Sequence, residues 1–396
     1  MPAINSRELR RMREVLGDQK THEHLSEAIQ SKKLKPEDLS IRDLAESLVE
    51  DGREWVSTMD PRKQGSFDLL EADAVRSSLF TNIAGQVVFS KIQDAFDSPE
   101  FVFTKLIPTI PTQFNGEKIP GISGLGDAVE VVDENKEYPL IGVTEDYIET
   151  PVTVKRGAIV PVTKEAIFFD RTGILLERCS KVGEALGLNK EKRIIDVIVD
   201  ENTTAGRYKW RGTVIATYGD NSGTHSWDNL SASTALEDWT DVDAMELLLS
   251  NMLDPNTGEP IMVMADTLIV NPQLYHTALR VLNATEIRMA VGGYATSGNL
   301  TTTVAGNTTG NANGYSAPYQ IVTSRLLPTR MATDTSWFLG NPRKAFAYME
   351  NWPLTTVQAP TNSHDEFHRD IVAQYKASER GATATLEPRF MCKATA

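Results

Sequence analysis

Apolar residues recur at helical spacing in three stretches of the chain. In the first, Leu39, Leu44, Leu48 and Trp55 form a narrow stripe within the charged, helix-favouring residues 6–59. Ser40, with Asp43 three residues on, predicts an N-cap, Gly52 interrupts the pattern and Asp60-Pro61 ends it. So narrow a stripe suits a helix that docks onto another surface rather than one with its own core. The second stretch, 77–96, carries Leu79, Ile83, Val87, Val88 and Ile92 and stops at Ser98-Pro99. The third predicts a helix over 173–202, capped by Thr172 or Asp170, with Leu175, Leu176, Val182, Leu186, Ile194, Ile195, Val197 and Ile198 on its apolar side. About 30 residues at about 1.5 Å each make a rod of roughly 45 Å, long enough to serve as a spine. Gly183 and Gly187 predict a bend or a close packing contact within it.

Between the second and third helices the pattern is extended and punctuated by Pro108, Pro111, Pro120 and Pro139. Alternation reappears at Val152-Thr153-Val154 and Ile159-Val160-Pro161-Val162. Gly121, Gly124, Gly126 and the acidic run 130–137 lie in the middle. This reads as a two-stranded excursion with few core formers, and an isolated two-stranded ribbon is marginal in water. Its partner surface is expected on a neighbour. Residues 203–233 are polar and glycine-rich, hold Trp210 and Trp227, and predict a hairpin or two. A helix is expected over 242–252, a short buried strand over 267–270, and a helix over 272–282 started by Asn271-Pro272. Residues 292–314, rich in Gly, Asn, Thr and Ser, read as a long functional loop. Towards the C-terminus come a strand at 337–341, another at 345–348, a polar turn around 365–367 and a long strand from 370. A tight turn at Arg380-Gly381 and a last strand follow, together forming a closing antiparallel sheet.

Composition narrows the class. At 396 residues, 40% hydrophobic and 24% charged, the chain buries a sizeable core. No run of about 18 apolar residues is present, so no membrane span is expected. Residues 1–13 are polar and lack an apolar signal-peptide core, so secretion is not expected. A net charge of −14 argues against a protein that grips nucleic acid, since that affinity comes from clustered Lys and Arg displacing counterions. Cys179 and Cys392 match no metal spacing and read as buried free thiols of a reducing cytoplasm.

No catalytic, cofactor-binding or metal-ligating residue is expected. His364 and His368 stand four apart with Asp365, Glu366 and Asp370 nearby, the beginnings of a metal site on a helix. The order is not His-Glu-x-x-His, however, and the segment runs into a strand pattern, where residues four apart lie roughly 13 Å apart. His22-Glu23-His24 reads as a solvated face, and His225 and His276 stand alone. The glycines from Gly292 lack the Gly-Lys-Ser/Thr of a phosphate loop, and no Gly-x-Ser-x-Gly elbow occurs.

The order of parts then carries a resemblance. Val160-Pro161-Val162-Thr163-Lys164-Glu165-Ala166 is similar to the strand that returns from an extended loop into a spine helix. Leu268-Ile269-Val270-Asn271-Pro272-Gln273-Leu274-Tyr275 is similar to the strand and helix start of an axial domain. Gln320-Ile321-Val322-Thr323-Ser324 with Leu327-Pro328 is similar to the strand before a final sheet. From about residue 79 to 389 the chain resembles tailed-bacteriophage major capsid proteins of the Hong Kong 97 type. That resemblance implies an α+β fold with a scaffold-like helical segment at 1–60, which a maturation protease removes in some members, and an N-terminal arm at 61–112. It further implies an extended loop at 113–162, a peripheral domain at 163–204 and 336–396, and an axial domain at 205–335 tipped by the loop 292–314.

The function it implies is not enzymatic: self-assembly into pentamers and hexamers of an icosahedral shell enclosing double-stranded DNA, with assembly in the host cytoplasm and residence in the virion capsid. Portal, scaffold or maturation protease and decoration proteins are the further partners implied, with no cofactor and no membrane. The alternatives are an encapsulin-like compartment and, from another class, a metal-dependent hydrolase using His364, Glu366 and His368. One branch of the family crosslinks a loop lysine to an asparagine near the start of the last long strand, assisted by an acid. Here Asp370 stands at the asparagine position and Ala377 at that of the acid. An unactivated carboxylate does not readily form an amide, so no covalent crosslinking is expected. Boiled, reduced particles should run as single subunits on a denaturing gel, and a ladder of multimers would contradict this.

Overall fold

The computed structural model describes residues 6–48, 53, 56–57, 78–120, 147–201, 208–220, 227–254, 258–282, 286–287, 311–312, 319–359 and 371–395. Its longest helix, α6 (Thr172–Val199), follows α1 (Ser6–Gln30), α2 (Ile41–Leu48), α3 (Ser78–Phe96), α4 (Val102–Leu106) and α5 (Lys164–Phe168) in the chain. At the two glycines the contact, not the bend, is the reason for their presence. A Cβ at Gly183 would collide with Ile92 O and stand 2.8 Å from Ala95 Cβ. One at Gly187 would collide with the Phe101 ring and stand 2.8 Å from Phe96 O. The C-terminal turn of α3 therefore lies backbone-close on α6. One turn further on, the buried Glu191 carboxylate accepts from Phe103 N (2.8 Å), Thr104 N (2.7 Å) and Thr104 Oγ1 (2.7 Å). It thus caps the start of α4 from another helix, and charge-assisted bonds of this kind are strong.

Neither expected cap of α6 serves as one. Arg171 occupies the N-cap position without a side-chain bond. Asp170, in the left-handed region at φ 48°, instead accepts from Thr172 Oγ1 (2.8 Å) and from Ser40 Oγ (2.7 Å). Thr172 Oγ1 accepts from Ile41 N (2.9 Å), so both residues tie the start of α6 to the start of α2. Ser40 caps α2 as expected, taking the amide of Asp43 at 3.2 Å.

The N-terminal stripe docks onto another surface, as expected, and that surface lies within the chain itself. Leu9, Leu25, Ile29, Leu34, Leu39, Ile41, Leu44, Leu48 and Val56 are all at most 4% exposed. They share one core with Ile83, Val87 and Ile92 of α3, Leu175, Leu176 and Cys179 of α6, and Tyr375. Arg42 donates to Phe168 O (3.1 Å), and Lys91 pairs with Glu37 (2.6 Å) at the rim.

Three larger sheets complete the α+β architecture. The first runs β1 (Thr109–Pro111), β13 (Phe346–Gln358), β14 (Ile371–Thr385), β4 (Val154–Thr163), with β1 parallel to β13 and the other pairs antiparallel. The expected turn at Arg380-Gly381 is absent. Gly381 continues β14, opposite Glu350 and Val154, and a Cβ there would collide with Tyr348 Oη. This glycine admits a neighbouring ring rather than reversing the chain, and the strand foreseen at 345–348 extends to Gln358.

The second sheet runs β11 (Gln320–Val322), β8 (Thr267–Val270), β12 (Trp337–Gly340), β15 (Met391–Ala394), β7 (Leu230–Ser231). The C-terminal strands therefore do not close one sheet together. β12 and β15 pair in the middle of this second one, because every residue of both is buried and needs cover on two faces. Phe338 and Met391 enter the core holding Ile194, Ile195, Ile198 and Val199 of α6. Trp337, Leu339 and Cys392 enter another with Val242, Met245 and Leu249 of α7 (Trp239–Ser250) and Ala278 and Val281 of α8 (Tyr275–Leu282).

The third sheet runs β2 (Lys118–Pro120), β3 (Tyr147–Glu149), β5 (Tyr208–Trp210), β6 (Thr213–Ile215). It joins the base of the ribbon to the hairpin expected in 203–233, which turns through Arg211 (φ 48°) and Gly212 (φ 81°). A further pair, β9 (Glu286–Ile287) with β10 (Asn311–Ala312), brackets the glycine-rich loop. The remainder of 292–314 and residues 121–146 lie outside the described residues.

Leu44 is fully buried in the first core, so Leu44→Ala should lower stability by about 2–5 kcal/mol. Thermal unfolding reads this, and a melting temperature equal to that of the parent chain would show that α2 is not docked.

Candidate assembly surface

Strand alternation decides what the first sheet presents outward. In β14, Tyr375 and Ala377 point into the first core, which leaves Lys376 and Arg380 on the opposite face. Register lines their neighbours up across three strands: Val357, Lys376 and Ile159 in one row, Trp352, Arg380 and Lys155 in another. Ile159 is 58% exposed, Val357 52% and Trp352 38%. Lys155 Nζ stands 5.6 Å and Arg380 Cζ 5.5 Å from the centre of the Trp352 ring. Arg380 Nε donates to Thr153 Oγ1 at 3.0 Å. Among the described residues no carboxylate forms an ion pair with Lys155, Lys376 or Arg380. In a chain of net charge −14 this is a locally positive face with apolar side chains set into it, and β4 is its outermost strand.

The inner side is wired differently. Arg193 pairs with the buried Glu379 at 2.5 Å. Lys190 lies 4.2 Å above the Tyr348 ring, its pKa lowered by burial. Burial pushes the Tyr348 phenol up to about 12, and Glu379 adds to that shift. Arg193 thus has a carboxylate partner on this side and Lys190 an aromatic one, whereas among the described residues Lys155, Lys376 and Arg380 pair with no carboxylate.

The root of the ribbon lies beside this face. Asn115 Oδ1 accepts from Thr153 N (2.9 Å) and Thr153 Oγ1 (3.1 Å), Glu117 Oε2 accepts from Thr112 Oγ1 (2.7 Å), and Thr112 O accepts from Asn351 Nδ2 (3.0 Å). The last of these bonds fixes the root of the ribbon to β13, and the others are internal to the root. Phe114 (65%), Val152 (60%) and Val154 (48%) are exposed around it.

His364, Glu366, His368 and Asp370 lie outside the described residues. His24 is exposed, and His276 packs edge-on against Tyr275 with ring centres 5.6 Å apart. Cys179 and Cys392 are buried free thiols, as expected. Burial raises the Cys179 pKa to about 12 and that of Cys392 further, which keeps both protonated. Among the described residues no group of three or more His, Cys, Asp or Glu side chains is placed to hold a metal, and no helix is long and apolar enough to cross a membrane. Ala377, opposite Thr356 and Ala158, is fully buried. Sequence reasoning missed the positive face, because its cations sit at 155, 376 and 380 and only strand parity and register bring them together.

No curated protein matches the chain. Solved structures similar to it include one from Gordonia phage Cozz, at 13% identity over 75% of this chain and 86% of that one, with a TM-score of 0.41. The capsid structure of the cyanophage P-SCSP1u is 13% identical over 73% and 85%, with a TM-score of 0.42. A virus-like particle from Pyrococcus furiosus is 13% identical over 78% and 97%, with a TM-score of 0.38. The family model described as phage capsid protein matches residues 147–394, more than half of the chain and the whole span from the ribbon's return through the spine to the last strand. The chain belongs to the phage capsid protein family.

Proposed function

We propose that the chain is the major head subunit, without catalytic activity, which self-assembles as pentamers and hexamers into an icosahedral shell around double-stranded DNA. Assembly would take place in the host cytoplasm, with the portal, scaffold or protease and decoration proteins as further partners. The family favours this over a cargo-enclosing compartment. In this reading 113–162 is the extended loop, 163–204 with 336–396 the peripheral domain, and 205–335 the axial domain with 292–314 towards the ring centre.

The observation that carries the proposal is the outward face of the first sheet. Exposed Trp352, Val357 and Ile159 among cations that pair with no carboxylate of the described residues fit an acidic, partly apolar protein segment. The ribbon of another copy supplies one: Asp127, Glu130, Asp133, Glu134 and Glu137, with Lys136 the single cation among them, are interleaved with Val129, Val131, Val132 and Tyr138. Obligate interfaces bury roughly 2,000 Å² or more, which a ribbon laid across a neighbour's sheet can contribute to. Packaged DNA is a less suitable occupant of this face, since phosphate recognition has no use for exposed Val and Ile.

Lys155→Glu with Lys376→Glu places two exposed surface changes on this face, each within about 0.5 kcal/mol in stability. The expected result is a folded subunit that no longer forms shells by electron microscopy, with assembly recovered when Glu130→Lys and Asp133→Lys are added. Shells at the parent yield from the Lys155, Lys376 variant would contradict the proposal.

A further inference from the structure

The described residues 258–266, in the connection from α7 to β8, show a second outward surface, unrelated to the charged one. Ile261, Val263 and Ala265 are partly buried against the cores beneath, whereas Met262 is 94% and Met264 80% exposed. The backbone explains the projection. Val263 N donates to Ile261 O at 2.9 Å, closing a three-residue turn with Met262 at its apex. The platform is firmly held: Ile261 N donates to Met252 O (2.8 Å), Asp254 N to Glu259 O (2.9 Å) and Gly258 N to Asp254 O (2.7 Å). Leu253 bridges Pro260 and is itself 48% exposed, so Leu253, Pro260, Met262 and Met264 make one apolar stripe. Among the other described methionines Met245, Met252, Met349 and Met391 are at most 2% exposed, Met331 is 8% exposed and Met12 is half-buried.

We infer that this stripe is a contact between neighbouring copies of the chain, with methionine chosen because the contact must fit more than one geometry. The inference rests on the shell-forming reading above and deepens it. A subunit that builds rings of both five and six meets its neighbour at two different angles. A rigid, branched side chain packs well in one of these arrangements only. Methionine, unbranched and with three rotatable bonds, repacks at little cost, and flexible Met-rich surfaces are used where one surface has several partners. A fixed backbone carrying soft side chains meets that need: the position is set and the fit is adjustable. The occupant is a second copy, because the family is one of capsid proteins and ring contacts are heterologous, apposing this stripe to a different patch of the next subunit.

The test uses the full chain expressed alone. Dilute hydrogen peroxide converts exposed methionine to its sulfoxide, and peptide mass spectrometry reads each site, with buried Met349 and Met391 as internal references. In free subunits Met262 and Met264 should oxidise faster than Met349 and Met391, and in purified shells both should slow by about tenfold or more as the neighbour covers them. Met262→Ser with Met264→Ser should cut shell yield by a similar factor, about tenfold, while leaving the melting temperature unchanged. Shells in which both methionines stay as reactive as in free subunits would overturn the inference and leave the capsid reading standing. A parent chain that forms no shells at all would instead remove the capsid reading, and the inference with it.

Discussion

The close approach of α3 to α6 at Gly183 and Gly187 is the constraint on which the other parts rest. The two glycines stand one turn apart on one side of the spine, so Ile92 O, Ala95, Phe96 O and the Phe101 ring come directly onto its backbone. Because of this, the first half of α6 shares a core with the N-terminal helices and the sheet strands β4 and β14. Its second half, Ile194 to Val199, enters the core under the five-stranded sheet. One rod thus joins two cores, and Glu191 locks the connection by capping α4. A larger residue at either glycine would separate the helices and disturb the surfaces that both cores support.

Seen electrostatically, the first sheet has two different sides. Towards α6, Glu379 answers Arg193 and the Tyr348 ring covers Lys190. Away from it, Lys155, Lys376 and Arg380 form an ion pair with no carboxylate among the described residues. Folding alone gives no reason to collect like charges on one face of a chain this acidic. Assembly does, since complementary charge steers encounter and fixes register between copies. The leading segment adds a contrasting lesson. Its apolar stripe is already satisfied within the subunit, through nine deeply buried side chains, so it behaves as a structural layer of the body.

The helices were legible because their apolar period is local: Ile83, Val87 and Ile92, or Leu175, Leu176 and Leu186, need no knowledge of distant partners. The buried strand at 267–270 and the Asn271 cap were legible for the same reason. Gly381 was misread because a glycine that reverses the chain and one that admits a tyrosine ring look alike in one dimension. Asp170 and Thr172 were misread as a local cap because their partner, the start of α2, lies some 130 residues away in sequence. The assembly surface was hardest to see. It exists only once register places 155, 352 and 380 in one row, and no spacing in the sequence encodes that row.

Underlying the whole account is the claim that copies of this chain complete one another's exposed surfaces. Sedimentation velocity of the purified full-length chain at increasing concentration addresses it most directly, with electron microscopy of the fast-moving fraction. The account predicts a shift from subunits or small rings to closed shells of uniform size. A single species at the mass of one chain, unchanged up to the highest concentration reached, would contradict it.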